Sequence, residues 1–189
     1  MEDIIKSMIQ ASADIKLKLD LKVIADIATA MIEAYRRKKK VVLFGNGGSA
    51  ADAQHIAAEL VGKYKLVREP LPALAFSTNT SILTACANDY GYDTVFLKQV
   101  QAFVEEGDVV VGISTSGTSP NVIEGIKAAK EKGAVTVGFT GEKKEGLGEM
   151  VDLWLGVPST DTPRIQESHI TAGHIICYLV EQALFGKPE

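Results

Sequence analysis

Cysteine is scarce in this chain. Of its 189 residues only Cys86 and Cys177 are cysteines, far apart and each in apolar surroundings. So few thiols exclude a small scaffold held together by several disulfides. We expect both to be buried free thiols, which is typical of a protein kept in a reducing compartment.

The chain also lacks a long apolar run and an excess of positive charge. No stretch approaches the ~20 apolar residues of a membrane span, and the acidic start at Met1–Asp3 differs from a basic-then-apolar signal peptide. We therefore expect a cytoplasmic protein that does not bind membranes. The net charge is −4, and the one basic run, Arg36–Lys40, ends a predicted helix, where it complements the helix dipole. This charge pattern argues against a general nucleic-acid binder.

What the chain does contain is a regular alternation of short apolar runs and longer amphipathic segments. Strands are predicted at 41–45, 73–77, 108–113, 134–139 and 151–156, and helices at about 49–62, 81–87, 93–105, 119–132 and 164–185. Continuous apolar strands are typical of a parallel sheet buried on both faces. The pattern predicts an α/β fold, a three-layer doubly wound sandwich with a five-stranded parallel sheet. Ligands of such folds bind at the carboxyl ends of the strands, near the switch point.

Two amphipathic helices are predicted before the first strand. The first covers 3–19, and the second begins after Asp20, a predicted N-cap, with an apolar stripe from Val23 to Tyr35. Their stripes need apolar surface to cover, either on the sheet or on another subunit. We expect a single domain over 1–189, made of a helical pair at 1–40 and the sandwich at 41–189.

The stretch around the first strand combines an apolar run, a glycine turn and a helix start. Val41–Phe44 is the strand, Gly45–Gly48 the turn, and Ser49 the predicted N-cap. Free N–H groups and the helix dipole make such a turn an anion site. Gly45–Ala50 also fits the dinucleotide fingerprint, but the match is weak because no carboxylate ends the second strand to hold a ribose.

Titratable side chains follow on the helices. His55 and Glu59 are four residues apart, so on a helix they are neighbours that can share a metal ion or form a polar pair. The other two histidines, His169 and His174, lie on the last predicted helix. A lone helical histidine is more often structural than catalytic, and this is our interpretation of His169.

A second polar turn follows the third strand. Ser114, Thr115 and Ser116 precede Ser119, the predicted N-cap, and Pro120, which suits a first helical position. Their hydroxyl and N–H groups can satisfy a phosphate without cationic side chains. A turn that only caps its helix explains Ser119 but leaves the first three unexplained, so phosphate binding is favoured.

Asn88 and Asp89 follow the short helix after the second strand. They are either a helix-ending turn, where Asn and Asp are frequent, or a polar pair that reaches a sugar hydroxyl.

Taken in order, these motifs resemble the sugar isomerase (SIS) fold, which is flavodoxin-like, and more closely the phosphoheptose isomerases. The resemblance covers nearly the whole chain and rests on Gly45–Ser49, His55 with Glu59, Asn88–Asp89, Ser114–Ser119 and Arg164–His174. It implies an aldose–ketose isomerase that converts D-sedoheptulose 7-phosphate to D-glycero-D-manno-heptose 7-phosphate, the first step of nucleotide-activated heptose biosynthesis.

The resemblance also implies a role for each matching residue. Glu59 and His174 are the acid/base pair, and the zinc ligands are His55, Glu59, Gln166 and His174. The phosphate contacts are Ser114, Thr115, Ser116 and Ser119. The sugar contacts are Asn46, Gly47, Gly48, Ser49, Glu59, Asn88, Asp89 and Gln166. The family assembles as a homotetramer with active sites at subunit interfaces.

The chemistry is consistent with these residue types. Moving a carbonyl between C1 and C2 needs one base for a carbon-bound proton and a second group that shuttles the hydroxyl proton through a cis-enediol. A carboxylate and an imidazole can do both at neutral pH. A zinc ion would stabilise the developing enediolate.

Two features depart from the simplest version of the family site. Gln166 and His174 are eight residues apart, about 12 Å along a straight helix, which stretches both side chains if they share one metal. Pro163 stands where some family members have an acidic residue, so any contact of that acid is missing.

A different class of protein shares much of this pattern. Scaffold proteins that bind the bacterial replication initiator have the same fold and a similar Arg164–Glu167 stretch, but tend to lack the histidine at position 174. The presence of His174, His55 and Glu59 favours the isomerase. Another sugar-phosphate isomerase or a regulatory sugar-binding domain is a further alternative.

Overall fold

The computed structural model describes residues 1–186, and its five strands form one parallel sheet. They are β1 Val41–Gly45, β2 Ala73–Ala75, β3 Val109–Ile113, β4 Val135–Thr140 and β5 Leu153–Gly156, in the order β2-β1-β3-β4-β5. This is the flavodoxin-like order of a doubly wound fold. The predicted fold class is confirmed.

Helices cover both faces of this sheet. They are α1 Glu2–Lys16, α2 Leu21–Arg36, α3 Gly48–Val61, α4 Thr80–Tyr90, α5 Val95–Phe103, α6 Pro120–Glu131, α7 Leu147–Met150 and α8 Thr162–Phe185, with a 3₁₀ turn at Tyr92–Thr94. On β1, Leu43 packs into the core under α2, α3 and α8, and Phe44 packs into the core under α5 and α6. Successive residues of one strand therefore enter two separate cores, which explains the continuous apolar runs.

The switch point lies between β1 and β3, which are paired neighbours. β1 leads into α3 on one face, whereas β3 leads into α6 on the other. The two polar turns that follow these strands therefore open side by side at the carboxyl edge of the sheet.

The first two helices differ in how they are used. Asp20 caps α2 as predicted, since its carboxylate accepts the N–H groups of Lys22 and Val23. Ile27 and Met31 of α2 are buried in the core that α2 forms with the sheet and α8. α1 contacts α8, but none of its residues is fully buried. Ile15 packs partly buried against the core, whereas Ile4, Ile5, Met8 and Ile9 are exposed.

Several predicted boundaries are wrong. Ser49 is not an N-cap, because α3 begins one residue earlier, after Gly47, whose φ of 55° favours glycine. Ser49 is buried in the first turn. Asn88 and Asp89 lie inside the last turn of α4, not after it. β2 ends at Ala75 and β5 begins at Leu153, so both strands are shorter than predicted.

Among residues 1–186 there is no helix that combines the length and the apolar character of a membrane span.

Candidate active site

The site is organised by two helices, α3 and α8, that run side by side in the same direction. Near their starts, a Cβ on Gly48 would lie 2.5 Å from Nε2 of Gln166. Two turns further on, a Cβ on Gly173 would lie 2.6 Å from Cδ1 of Ile56. Glycine at these points allows the helices to approach closely, so polar side chains on both meet across a short gap.

Three of these side chains converge at one point. Nε2 of His55 lies 3.2 Å from Oε1 of Glu59 and 3.2 Å from Nε2 of His174. One ligand atom from each residue falls within 4.8 Å of the others. The His55 side chain is 49% exposed and that of Glu59 is 23% exposed, so a substrate can reach the cluster.

Two further aromatic contacts shape this point. The rings of His55 and His174 meet edge to face, with centroids 4.9 Å apart. The Tyr64 ring also lies near His174, at 5.7 Å between centroids. His174 thus has two ring neighbours, and its packing against them limits its rotation.

One turn before His55, the Asp52 carboxyl lies in a partly buried position on α3. Its Oδ2 is buried and has no hydrogen-bond partner among residues 1–186. Burial raises the pKa of Asp52 to about 6, and the nearby His55 opposes that shift.

Gln166 lies at the other end of the gap between the helices. Its amide contacts Gly48, beside the first turn. α8 is a regular helix from Thr162, with Pro163 in its first turn. The eight residues between Gln166 and His174 therefore still correspond to about 12 Å of rise. Gln166 therefore lies beside the first turn. Its assignment as a metal ligand stays a prediction.

The first turn itself is held by a pair of amides that the sequence did not reveal. Asn46 and Asn121 exchange two hydrogen bonds, each 2.9 Å long. Asn121 is 2% exposed and lies in the first turn of α6. The Tyr92 hydroxyl adds a third bond, 3.3 Å from Oδ1 of Asn46. Asn46 is therefore fixed from two sides, across the switch point.

The serine turn after β3 is compact and already hydrogen-bonded. Oγ of Ser114 lies 2.8 Å from Oγ of Ser119 and 3.4 Å from Oγ of Ser116. Ser119 occupies the N-cap position of α6 as predicted, but its hydroxyl faces Ser114 and makes no capping bond. The turn borders an open cavity of about 350 Å³, to which Thr115 and Ser116 contribute.

The same cavity contains side chains that the sequence analysis did not single out. Thr118 and Ser159 line it, and so does Lys143. Lys143 lies in the connection between β4 and α7, and no local sequence motif marks it. A cation near the serine turn would favour an anionic ligand.

Asn88 and Asp89 are exposed and pair with each other, at 2.8 Å. Within residues 1–186 neither of them hydrogen-bonds to the first turn. Their connection to it runs through Tyr92, which follows shortly after and bonds Asn46.

His169 is fully buried and separate from the cluster. Its Nε2 lies 3.0 Å from the carbonyl oxygen of Thr140, and Nδ1 has no partner. Burial lowers the pKa of His169 to about 4, against the effect of the Thr140 contact. A neutral, packed imidazole fits the structural role expected for it.

Comparison with known proteins supports the fold and identifies the family. Residues 7–141 match the family model described as "SIS domain". The phosphoheptose isomerase of Pelobacter propionicus is 55% identical over 161 residues, covering 85% of each chain. That of Aneurinibacillus thermoaerophilus is 52% identical over 190 residues, covering 98% of this chain and 96% of the relative. The solved phosphoheptose isomerase of Neisseria gonorrhoeae superposes with a TM-score of 0.90 at 40% identity, covering 96% of this chain and 98% of its own. The chain belongs to the phosphoheptose isomerase family of SIS-domain proteins.

Proposed function

We propose that this protein is an aldose–ketose isomerase that converts D-sedoheptulose 7-phosphate to D-glycero-D-manno-heptose 7-phosphate. One observation carries the proposal: His55, Glu59 and His174 converge at the junction of α3 and α8, with ligand atoms within 4.8 Å of one another. Membership of the phosphoheptose isomerase family supports the substrate.

In this proposal Glu59 is the carbon base and His174 its partner. The Glu59 carboxylate takes the proton from C1 of the ketose, the electron pair moves into a C1–C2 double bond, and the C2 oxygen takes a proton from His174. In the resulting cis-enediol, His174 moves a proton off the C1 oxygen, and Glu59 returns its proton to C2. The net result exchanges the carbonyl and hydroxyl positions without loss of atoms.

His55, Glu59 and His174 also fit a divalent metal ion, and zinc is the ion we propose. Two imidazole nitrogens and a carboxylate oxygen are the donors zinc prefers. His55 and His174 direct their Nε2 atoms at each other at 3.2 Å, which a cation between them would stabilise. When bound, the ion would polarise the substrate oxygens as a Lewis acid. Glu59 has two carboxylate oxygens, so one can bind the ion and the other can face the carbon acid.

The rest of the substrate lies along the carboxyl edge of the sheet. Ser114, Thr115, Ser116 and Ser119 bind the phosphate, with the 350 Å³ cavity beside them. Asn46, Gly47, Gly48 and Ser49 contact the sugar, together with Asn88, Asp89 and Gln166. The fixed amide of Asn46 supports this assignment, because a preorganised donor and acceptor need no ordering when the sugar binds.

We further propose a single-domain subunit that assembles as a cytoplasmic homotetramer. The exposed apolar residues of α1 support the assembly: Ile4 and Ile9 are each 65% exposed, and Met8 is 54% exposed. An exposed apolar stripe of this kind, on a helix with no fully buried residue, suits a subunit interface.

The direct test is turnover. Purified protein is incubated with sedoheptulose 7-phosphate, with and without added zinc, and the aldose 7-phosphate is measured by chromatography. We expect conversion, and loss of conversion after treatment with a chelator. A folded protein that converts nothing under either condition would contradict the proposal and favour a non-catalytic scaffold.

A further inference from the structure

The segment between α3 and β2 is anchored to α8 by one buried carboxylate. Glu181 is completely buried and lies seven residues after His174, two turns along α8 and on the same side of it. Its carboxylate accepts the N–H groups of Tyr64, Lys65 and Leu66, at 3.0, 2.7 and 2.7 Å. Three consecutive backbone groups are thereby fixed to the helix that carries His174.

The fourth partner of that carboxylate is Arg68. Its Nε lies 3.2 Å from Oε2 of Glu181, and its side chain is 2% exposed. The other guanidinium nitrogens turn back toward α3: Nη2 donates to the carbonyl oxygen of Glu59 at 2.9 Å, and Nη1 to that of Leu60 at 2.8 Å. These carbonyls belong to the last turn of α3 and have no partner within the helix. Arg68 therefore caps α3 at the residue that we assign as the base.

The charge of Glu181 is compatible with its burial. Desolvation alone would raise its pKa, but the N–H groups of Leu66, Lys65 and Tyr64, with Arg68, lower it below the ordinary value. A buried ion pair seldom stabilises a protein more than a well-packed apolar pair does, because the cost of desolvating the two charges offsets their mutual attraction. Stability is therefore a weak explanation for this pair, whereas a fixed geometry explains every contact.

From these contacts we infer that Glu181 and Arg68 are positioning residues for the isomerase centre. They fix the end of α3, and with it Glu59, against α8, and they lay the Tyr64 ring against His174. The chain of contacts runs from the Glu59 backbone through Arg68 and Glu181 to Tyr64, and from Tyr64 to the imidazole at 5.7 Å between ring centroids. This inference rests on the proposed function, since it takes Glu59 and His174 as the reacting pair.

The first test is Glu181→Gln, which keeps the side-chain size but turns an NH₂ group toward N–H donors. We expect kcat to fall about tenfold with KM changed by less than about threefold, because the phosphate-binding turn is untouched. The affinity of the folded protein for Co²⁺, followed by its visible absorption, should fall by a similar factor of about ten. Lys127→Met, which breaks the exposed pair with Glu124, is the control and should change neither quantity.

A second variant keeps the test decisive if Glu181→Gln does not fold. Tyr64→Leu retains every backbone bond to Glu181 and removes only the ring beside His174. We expect kcat to fall about fivefold with KM changed by less than about threefold, because the imidazole loses the ring that packs near it. Unchanged kcat and Co²⁺ affinity in folded Glu181→Gln would overturn the inference, as would an unchanged kcat in folded Tyr64→Leu. If the wild-type protein shows no turnover, the proposed function fails, and the Co²⁺ affinities still decide the positioning role.

Discussion

Gly48→Ala is the perturbation that separates stability from activity most cleanly. The φ of Gly48 is not positive, so alanine fits the backbone, and alanine in a helix is favoured over glycine by up to ~1 kcal/mol. The new Cβ would lie 2.5 Å from Nε2, 2.8 Å from Cδ and 2.9 Å from Oε1 of Gln166. The Gln166 amide must therefore move by about 1 Å to restore ordinary contact near 3.5 Å.

We expect Gly48→Ala to lower kcat/KM and to leave the stability nearly unchanged. Moving the flexible end of Gln166 off its rotamer costs about 0.5–1.5 kcal/mol, which the helix preference of alanine offsets. We therefore expect the free energy of unfolding to stay within about 1 kcal/mol of wild type. A contact displaced by about 1 Å can cost about 10²-fold in rate, and we expect kcat/KM to fall by 10-fold to 100-fold.

A double-mutant cycle shows whether the methyl group acts through Gln166. Gly48→Ala, Gln166→Ala and the double variant are compared in steady-state turnover and urea unfolding. If the displaced amide is the cause, the double variant has the kcat/KM of Gln166→Ala alone, since no side chain is left to displace. Additive losses in the double variant, or unchanged kcat/KM in Gly48→Ala, would refute the reasoning.

Two other predictions follow from buried polar groups. His169 has a lowered pKa of about 4, so its stabilising effect is complete above pH 6.5 and is lost as the pH falls from there toward 4. The free energy of unfolding, measured with urea, should fall between pH 7.5 and pH 5 in both proteins. We expect the fall to be about 2 kcal/mol larger in wild type than in His169→Gln; equal falls would contradict this. Other groups, Asp52 among them, titrate alike in both proteins. Asn121→Ala releases the Asn46 amide and should lower kcat/KM about tenfold; a variant with wild-type kcat/KM would show that Asn46 needs no fixing.

Much of the fold was predictable because the sheet is buried on both faces. Each strand is then a continuous apolar run, and the alternation with amphipathic helices specifies a parallel, doubly wound sheet. The start of α3 was not predictable to the residue. Gly47 adopts a positive φ and ends the turn early, so Ser49 enters the helix and is buried. The local sequence is the same whether the serine caps the helix or lies inside its first turn, so it cannot distinguish the two.

The candidate site was predictable where its members are close in sequence. His55 and Glu59 are neighbours because they are four residues apart on a helix. His174 could be joined to them only through resemblance to a known family. The hydrogen bonds of Asn46 with Asn121 span 75 residues, and that of Arg68 with Glu181 spans 113. Contacts of that range depend on the packing of α3, α6 and α8, and no local motif signals them.

The central claim is that Glu59 and His174, at the junction of α3 and α8, move the carbon-bound and hydroxyl protons of the substrate. Its most direct test incubates wild type, Glu59→Gln and His174→Ala with sedoheptulose 7-phosphate in D₂O and follows aldose formation and deuterium incorporation at C2 by NMR. We expect wild type to isomerise the sugar, whereas both variants should lose isomerisation and exchange by about 10²-fold to 10⁴-fold. Isomerisation retained near the wild-type rate by both folded variants would contradict it.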